Sequence, residues 1–248
     1  RDITYAYPNT EKLIFDHAQM TIPVGSSVGI VGGSGSGKTT IVDILLGLLK
    51  IREGKICADG TDIMQHYRGW LKNVGYIPQM IFLLDDDIRR NVAFGIPEEE
   101  IDEEKLWYAL KEAQLDEFIK TLPEGIHTGI GERGIRLSGG QRQRVGIAMA
   151  MTFQPKLLLA DEPTAALDVT TQAQIVRQIR ELREDYHTAV LMVTHNLAVA
   201  AYMADRILVM QGGKTVDEGD REHLLHSQKP YTRQLLQALP DLRGKRYV

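Results

Sequence analysis

SSVGIVGGSGSGKTTIVDILLGLL, from Ser26 to Leu49, is the stretch on which the reading of this chain turns. Its left half is a short apolar run ending in glycines, the pattern of a buried strand that empties into a loop. Its right half sets Ile41, Ile44, Leu45, Leu48 and Leu49 at helical spacing, which predicts a helix from about Lys38. Between them, GGSGSGKTT (Gly32, Gly33, Ser34, Gly35, Ser36, Gly37, Lys38, Thr39, Thr40) fits G-x-x-x-x-G-K-[ST] in the strand–loop–helix setting which that motif requires. Glycines let successive backbone N–H groups turn inward, and the helix N-terminus adds partial positive charge for phosphate oxygens. Lys38 is placed to reach the β- and γ-phosphates, and the Thr39 hydroxyl to ligate Mg²⁺. A flexible Gly-Ser linker with an incidental lysine does not account for the flanking strand and helix. The reading is a nucleoside triphosphate site.

Working outward, NVGYIPQ, PKLLLAD and AVLMVTH are three more short apolar runs, each ending in a polar residue. Continuous apolar strands alternating with amphipathic helices predict an α/β fold whose mainly parallel sheet is covered on both faces. In such sheets ligands gather at the carboxyl ends of strands, so Gly32, Gln79, Asp161, Glu162 and His195 are expected to converge. The first ~25 residues, with alternating ITYAY and a turn at YPNT, read as an antiparallel β flank. From Phe82 to Gly129 the strand signal disappears. IDEEKLWYALKEAQLDEFIKTLP reads as one helical pattern stopped at Pro123, with Leu106, Leu110, Ala113 and Ile119 near one face. A helical subdomain at about residues 82–145 is therefore expected as an insert in the α/β core.

Asp161 and Glu162 end a buried strand side by side, and neighbouring carboxylates there point differently and take different work. Asp161 is assigned to the Mg²⁺ shell and Glu162 to polarising the attacking water, against the blander reading of a solvated turn before Pro163. His195, at the end of another strand, is placed to hold the γ-phosphate and the water in line, a positioning task; a histidine satisfied by backbone is the bland option. Gln79 offers a side-chain oxygen to Mg²⁺ or its water, unless it is a plain surface glutamine. Tyr7 is an aromatic placed to stack on a nucleobase, an ordinary strand aromatic being nearly as good a reading.

Composition narrows the partners. A net charge of -4 gives no reason to expect nucleic acid, whose binders carry a basic surplus. A single cysteine, Cys57, excludes an internal disulfide framework and a Cys-cluster metal site, and KICADG reads it as a small buried apolar residue. The longest apolar candidate, IVDILLGLL, is broken by Asp43 and Gly47 and falls short of the ~18 residues that span a bilayer. Arg1 leads directly into DITYAYP with no signal-peptide pattern, so a soluble, cytoplasmic domain cut from a longer parent is expected.

LSGGQRQRVGIAMAM, from Leu137, resembles the signature of the ATP-binding cassette (ABC) family, and the remaining motifs fall in that family's order: Tyr7, Gly32 to Thr40, Gln79, Leu137 to Gln141, Asp161 with Glu162, AALD at Ala165 to Asp168, then His195. On the residues themselves, Ser138, Gly139 and Gly140 open a helix and offer a hydroxyl, two N–H groups and a dipole terminus to an anion. A Gly turn capped by Ser138 is the plainer account. The resemblance implies a P-loop NTPase fold, ATP and Mg²⁺ as ligands, and hydrolysis of ATP. It implies a head-to-tail dimer of two copies around two ATPs, each site taking Lys38, Glu162 and His195 from one chain and Ser138, Gly139, Gly140 and Gln141 from the other, with Asp168 at the boundary. A transmembrane partner is implied too, with no insertion of this chain into the membrane.

Within the family the text divides. Up to about Arg144, GERGIRLSGGQRQR and LLDDDIRRNVAFG look like the exporter branch, closest in kind to flippases of lipid-linked oligosaccharides. From about Val145, IAMAM, DEPTAALD, AVAAYMADRILVM and the tail KPYTRQLLQALPDL look like a peptide-importer ATPase. The pattern is that of a hybrid, natural or engineered, joined within LSGGQRQRV, with mismatched packing between its halves as the exposed risk. Two rival functions stand beside the transport ATPase: a cassette that binds ATP with little or no turnover, and a non-transport ABC switch, which would carry a coiled-coil insert or a tandem cassette.

Overall fold

The computed structural model describes residues 1–238. An antiparallel pair, β1 (Ile3–Tyr5) and β2 (Phe15–Ala18), precedes β3 (Ser27–Gly32) and α1 (Lys38–Leu45). A short hairpin, β4 (Cys57–Ala58) and β5 (Thr61–Asp62), leads to α2 (Tyr67–Leu71) and β6 (Val74–Ile77). Helices α3 (Ile88–Val92), α4 (Glu103–Glu112), α5 (Asp116–Lys120) and α6 (Gly139–Met151) come next, then β7 (Leu157–Asp161), α7 (Val169–Tyr186) and β8 (Ala189–Thr194). The described chain ends with α8 (Leu197–Met203), β9 (Arg206–Gln211), β10 (Lys214–Gly219), α9 (Arg221–Leu225) and α10 (Pro230–Gln237). Two compact units result: Arg1–Trp70 with the segment from Val190 onward, and Leu71–Ala189. The last residues of the tail read from sequence, Leu239 to Leu242, lie outside the described residues.

In the first unit every residue of β3 is buried. The strand runs parallel to β8 on one side and β9 on the other, with Ile30 opposite Val193 and Leu208. Such two-sided pairing suits an unbroken apolar run, whereas a strand with one wet face would alternate. β10 closes the edge antiparallel to β9. Val31, Leu197, Ala200, Ile207, Val209 and Leu224 form one apolar cluster, against which Tyr231, Leu235 and Leu236 of α10 pack. The carboxyl end of α1 is satisfied by two aromatic side chains: the Tyr67 hydroxyl donates to Leu46 O and Trp70 Nε1 to Leu45 O, each at 2.8 Å. Cys57 departs from expectation. It is half-buried, because β4 and β5 form a small hairpin whose Asp59 and Gly60 both take positive φ, a turn that leaves one face open.

In the second unit β6 and β7 pair in parallel, Ile77 opposite Ala160. The helical segment covers its own core of Leu83, Ile88, Leu106, Leu110, Leu115, Ile119, Ile130 and Ile147, all buried. The single helix expected from about Ile101 to Pro123 is two helices. Gln114 adopts a left-handed backbone (φ 52°), and this turn breaks the run so that Leu115 enters the core between α4 and α5. The four residues expected near one face, Leu106, Leu110, Ala113 and Ile119, are nonetheless all buried. Asn91 is buried as well and ties down the segment after β6: its Nδ2 donates to the Leu84 and Asp87 carbonyls, and its Oδ1 accepts the Leu84 N–H at 2.8 Å.

A buried carboxylate fastens the last helices of the first unit. Asp217 on β10 accepts hydrogen bonds from the hydroxyls of Ser227 and Thr232, and His223 Nε2 lies 3.2 Å from its Oδ1. Burial pushes the Asp217 carboxyl up, but the hydrogen bonds from Ser227, Thr232 and His223 outweigh it and hold the group below its ordinary value. A depressed folded-state value means the stabilisation is present above the unfolded value of about 3.9 and is lost as pH falls through the folded one. Asp217→Asn should therefore cost about 1–3 kcal/mol at pH 7. Thermal melts from pH 7 down to pH 3 should show the gap between variant and parent shrinking only below about pH 4.

Candidate functional site

The glycine-rich loop after β3 is held by the sheet itself. Gly32 pairs with Met210 of β9, and a Cβ on Gly32 would lie 2.3 Å from the Met210 carbonyl oxygen and 2.7 Å from Ser36 Oγ. Only glycine fits there. The loop curls so that Ser36 N–H donates to Gly33 O, and Gly213 N–H donates to Ser36 O at 3.1 Å. Lys38 is buried, and its ammonium donates to the Gly32 and Gly33 carbonyls, both at 2.9 Å. The Ser36 hydroxyl is buried with no hydrogen-bond partner, a polar atom whose orphaning a phosphate oxygen would relieve. Gly37, left-handed at φ 99°, caps α1 without any side-chain hydrogen bond. The first N–H groups of α1 are thus offered to the loop's interior. These features fit a triphosphate.

Other expected residues of the first unit fall around this loop. The Tyr7 hydroxyl lies 2.8 Å from Thr40 Oγ1, and its ring meets Tyr5 edge-on at 5.3 Å between centroids. Tyr7 is still 41% exposed, which leaves ring surface for a flat ligand. Thr39, Ser34 and Gly35 are exposed. His195 is exposed directly after β8, one residue beyond Thr194, whose register partner is Val31. It therefore stands at the same strand ends as Gly32. Asn196, the next residue, caps α8 by accepting from the Ala198 and Val199 N–H groups.

In the second unit Gln79 is exposed two residues past the end of β6, and Asp161, 2% exposed, ends the neighbouring β7. Glu162 follows with a left-handed backbone (φ 47°), and its carbonyl accepts the Ala165 N–H, so the chain turns sharply at this carboxylate. Such backbone strain on a non-glycine residue is concentrated at working sites. The hydroxyl, amide and carboxylate oxygens of Thr39, Gln79 and Asp161 are hard donors of the kind Mg²⁺ takes. No group of three or more His, Cys, Asp or Glu that could hold a metal forms among the described residues.

The glycine-rich helix start is a closed capping box: Ser138 Oγ accepts the Gln141 N–H at 3.2 Å, and Gln141 Oε1 accepts the Ser138 N–H at 2.8 Å. The plainer account of this turn thus holds in full, while the Ser138 hydroxyl proton stays available to a ligand. Asp168 caps α7, accepting from Thr171 N–H at 2.9 Å and Thr171 Oγ1 at 2.6 Å. Those two bonds hold its carboxyl below the ordinary range. The two helix starts touch: a Cβ on Gly139 would lie 3.3 Å from Leu167 Cδ2, and one on Gly140 only 2.8 Å from Thr171 Cγ2.

Residues 15–165 match the ABC transporter family, more than half the chain. The chain belongs to that family. It is similar to the ATP-dependent lipid A-core flippase of Desulfotalea psychrophila, 37% identical over 93% of this chain and 39% of the flippase. The sophorolipid transporter of Starmerella bombicola is 35% identical over 93% of this chain and 18% of its own length. Among solved structures, a bacterial Atm1-family ABC exporter with ATP bound matches with a TM-score of 0.84 at 33% identity, over 97% of this chain and 41% of that one. The cassette therefore spans about two fifths or less of these relatives. Its fold is that of a P-loop NTPase, α/β with a mainly parallel sheet. Among the described residues no helix is long and apolar enough to cross a membrane.

Sequence reasoning passed over Thr171 and Tyr231. Thr171 serves both Asp168 and Gly140, and Tyr231 accepts the Gly33 N–H of the loop at 2.8 Å. Thr171 lies in none of the quoted motifs, and Tyr231 stands in the KPYTRQLLQALPDL tail without a role assigned to it; only the packing gives each its task. Gly140→Ala should lower stability by about 1–3 kcal/mol in a urea melt, because Thr171 is branched and cannot swing its methyl aside without losing Asp168. Adding Thr171→Ser, which removes the methyl and keeps the hydroxyl, should restore most of that loss.

Proposed function

We propose that this chain is the ATP-hydrolysing cassette of an export-type transporter, closing head-to-tail with a second copy around two Mg²⁺-ATP and docking on a transmembrane partner. The observation that carries the reading is the buried, partnerless Ser36 hydroxyl inside a loop already held by the Lys38 ammonium. On binding, Lys38 would exchange its two loop carbonyls for phosphate oxygens, and the uncapped start of α1 would receive the same charge. Thr39, Gln79 and Asp161 would hold Mg²⁺, which neutralises charge on the β- and γ-phosphate oxygens. Glu162 would orient and polarise the attacking water, and His195 would keep it in line. Tyr7 would stack on the base.

The Ser138 hydroxyl and the N–H groups of Gly139 and Gly140 would complete the partner copy's site, with Asp168 at the boundary between copies. A transmembrane partner has a surface to meet in the second unit, where Met80 (84% exposed), Phe82, Phe94 and Ile135 (78% exposed) leave apolar area in water. The flippase and exporter relatives support a partner of that class. A hybrid origin, with exporter-like text to about Arg144 and importer-like text beyond, would keep the same site, since each motif residue is present. Binding of ATP with little turnover is the second reading, favoured by the capping box that satisfies the Ser138–Gln141 turn within one chain.

Phosphate release per chain that climbs steeply with protein concentration is expected for sites completed in trans; tight ATP binding with no release at any concentration selects the second reading. Glu162→Gln should cut turnover by about 10²-fold or more while ATP binding persists and the dimer accumulates. Lys38→Ala should weaken ATP binding itself by more than about tenfold, as a charge-assisted contact is lost.

A further inference from the structure

We infer that Tyr231 is a positioning residue of the nucleotide site, its hydroxyl setting the peptide that opens the phosphate loop, so that α10 is a working part of that site. The inference rests on the nucleotide reading above. It starts from one contact: Gly33 N–H donates to the Tyr231 hydroxyl at 2.8 Å across 198 residues of sequence. The same Gly33 holds the Lys38 ammonium through its carbonyl at 2.9 Å and receives the Ser36 N–H there. The Gly33 N–H belongs to the Gly32–Gly33 peptide, whose carbonyl also accepts the Lys38 ammonium at 2.9 Å, so Tyr231 and Lys38 hold one peptide by its two ends. A rotation of this peptide would move the lysine's anchor and the mouth of the loop with it.

The hydroxyl is well placed to serve as a fixed post. The Tyr231 ring packs on the apolar cluster of Val31, Leu197 and Leu224, while its polar tip reaches the loop. Thr232, next along the helix and fully buried, donates to Asp217 at 2.6 Å, and Ser227 donates to the same carboxylate. Asp217 sits on β10, which pairs with β9, and the β9 carbonyl of Met210 is the one that crowds Gly32. Loop and post are thus fastened to the same strands. A residue present for packing alone would need only the ring of phenylalanine.

Tyr231→Phe in the full chain separates these roles, with Leu235→Ala as the control that thins the same packing and leaves the loop contact alone. Calorimetric ATP affinity, steady-state kinetics, melting temperature and amide exchange at Gly33 are measured for each. Tyr231→Phe is expected to weaken ATP binding by about 3–10-fold, the worth of one hydrogen bond, and to raise KM in step while kcat stays within about twofold. Its melting temperature should stay near the parent's, and Gly33 exchange should quicken. Leu235→Ala should lower the melting temperature and leave affinity within about twofold. Parent-like affinity and exchange in Tyr231→Phe would overturn the inference, as would affinity losses that track melting temperature in both variants. Fast Gly33 exchange in the nucleotide-free parent overturns it without any variant. Failure of the parent to bind ATP would instead sink the nucleotide reading, and the exchange result would still judge the Tyr231 contact.

Discussion

Strand β3 is buried along its whole length with parallel partners on both sides, and the architecture of the first unit follows from that constraint. A strand so enclosed has to be apolar throughout, and its exit has to be narrow. Met210 of β9 leaves no room for a side chain at Gly32, so the chain departs as bare backbone. Bare backbone carries polar groups that have to be met. The Lys38 ammonium, Ser36 and Gly213 meet several from close range, and the Tyr231 hydroxyl meets another from far along the chain. The loop owes its shape to enclosure by the sheet and its chemical readiness to the one hydroxyl left over.

The helix starts differ in how their first N–H groups are met. α6, α7 and α8 are each capped by a side chain, from Ser138, Asp168 and Asn196. α1 has no side-chain cap, and it is the helix that follows the phosphate loop. A side-chain cap meets the first N–H groups from within the chain, whereas an uncapped start leaves them to water or to a ligand.

What was legible in the sequence was whatever depends on neighbours along the chain. The apolar runs of β3, β7 and β8 and the spacing of α1 fixed the class of fold, and the order of motifs fixed the family. The break at Gln114 was not legible, since a glutamine in a left-handed turn has no local signal; the Leu115 burial that rewards it comes from other helices. Cys57 was read as buried because its flanks look strand-like, and the two-residue turn beside it leaves it half open. Asn91, Thr171 and Tyr231 share the same difficulty. Each acts on a backbone or glycine that its own segment does not reveal, so only tertiary packing makes its task visible.

The turn at Ser138 closes on Gln141 without help from outside. The disorder that such a turn would otherwise surrender on meeting a ligand has already been given up during folding. An anion arriving there would meet a donor set that needs no rearrangement, so recognition would be limited by encounter and orientation instead of by refolding.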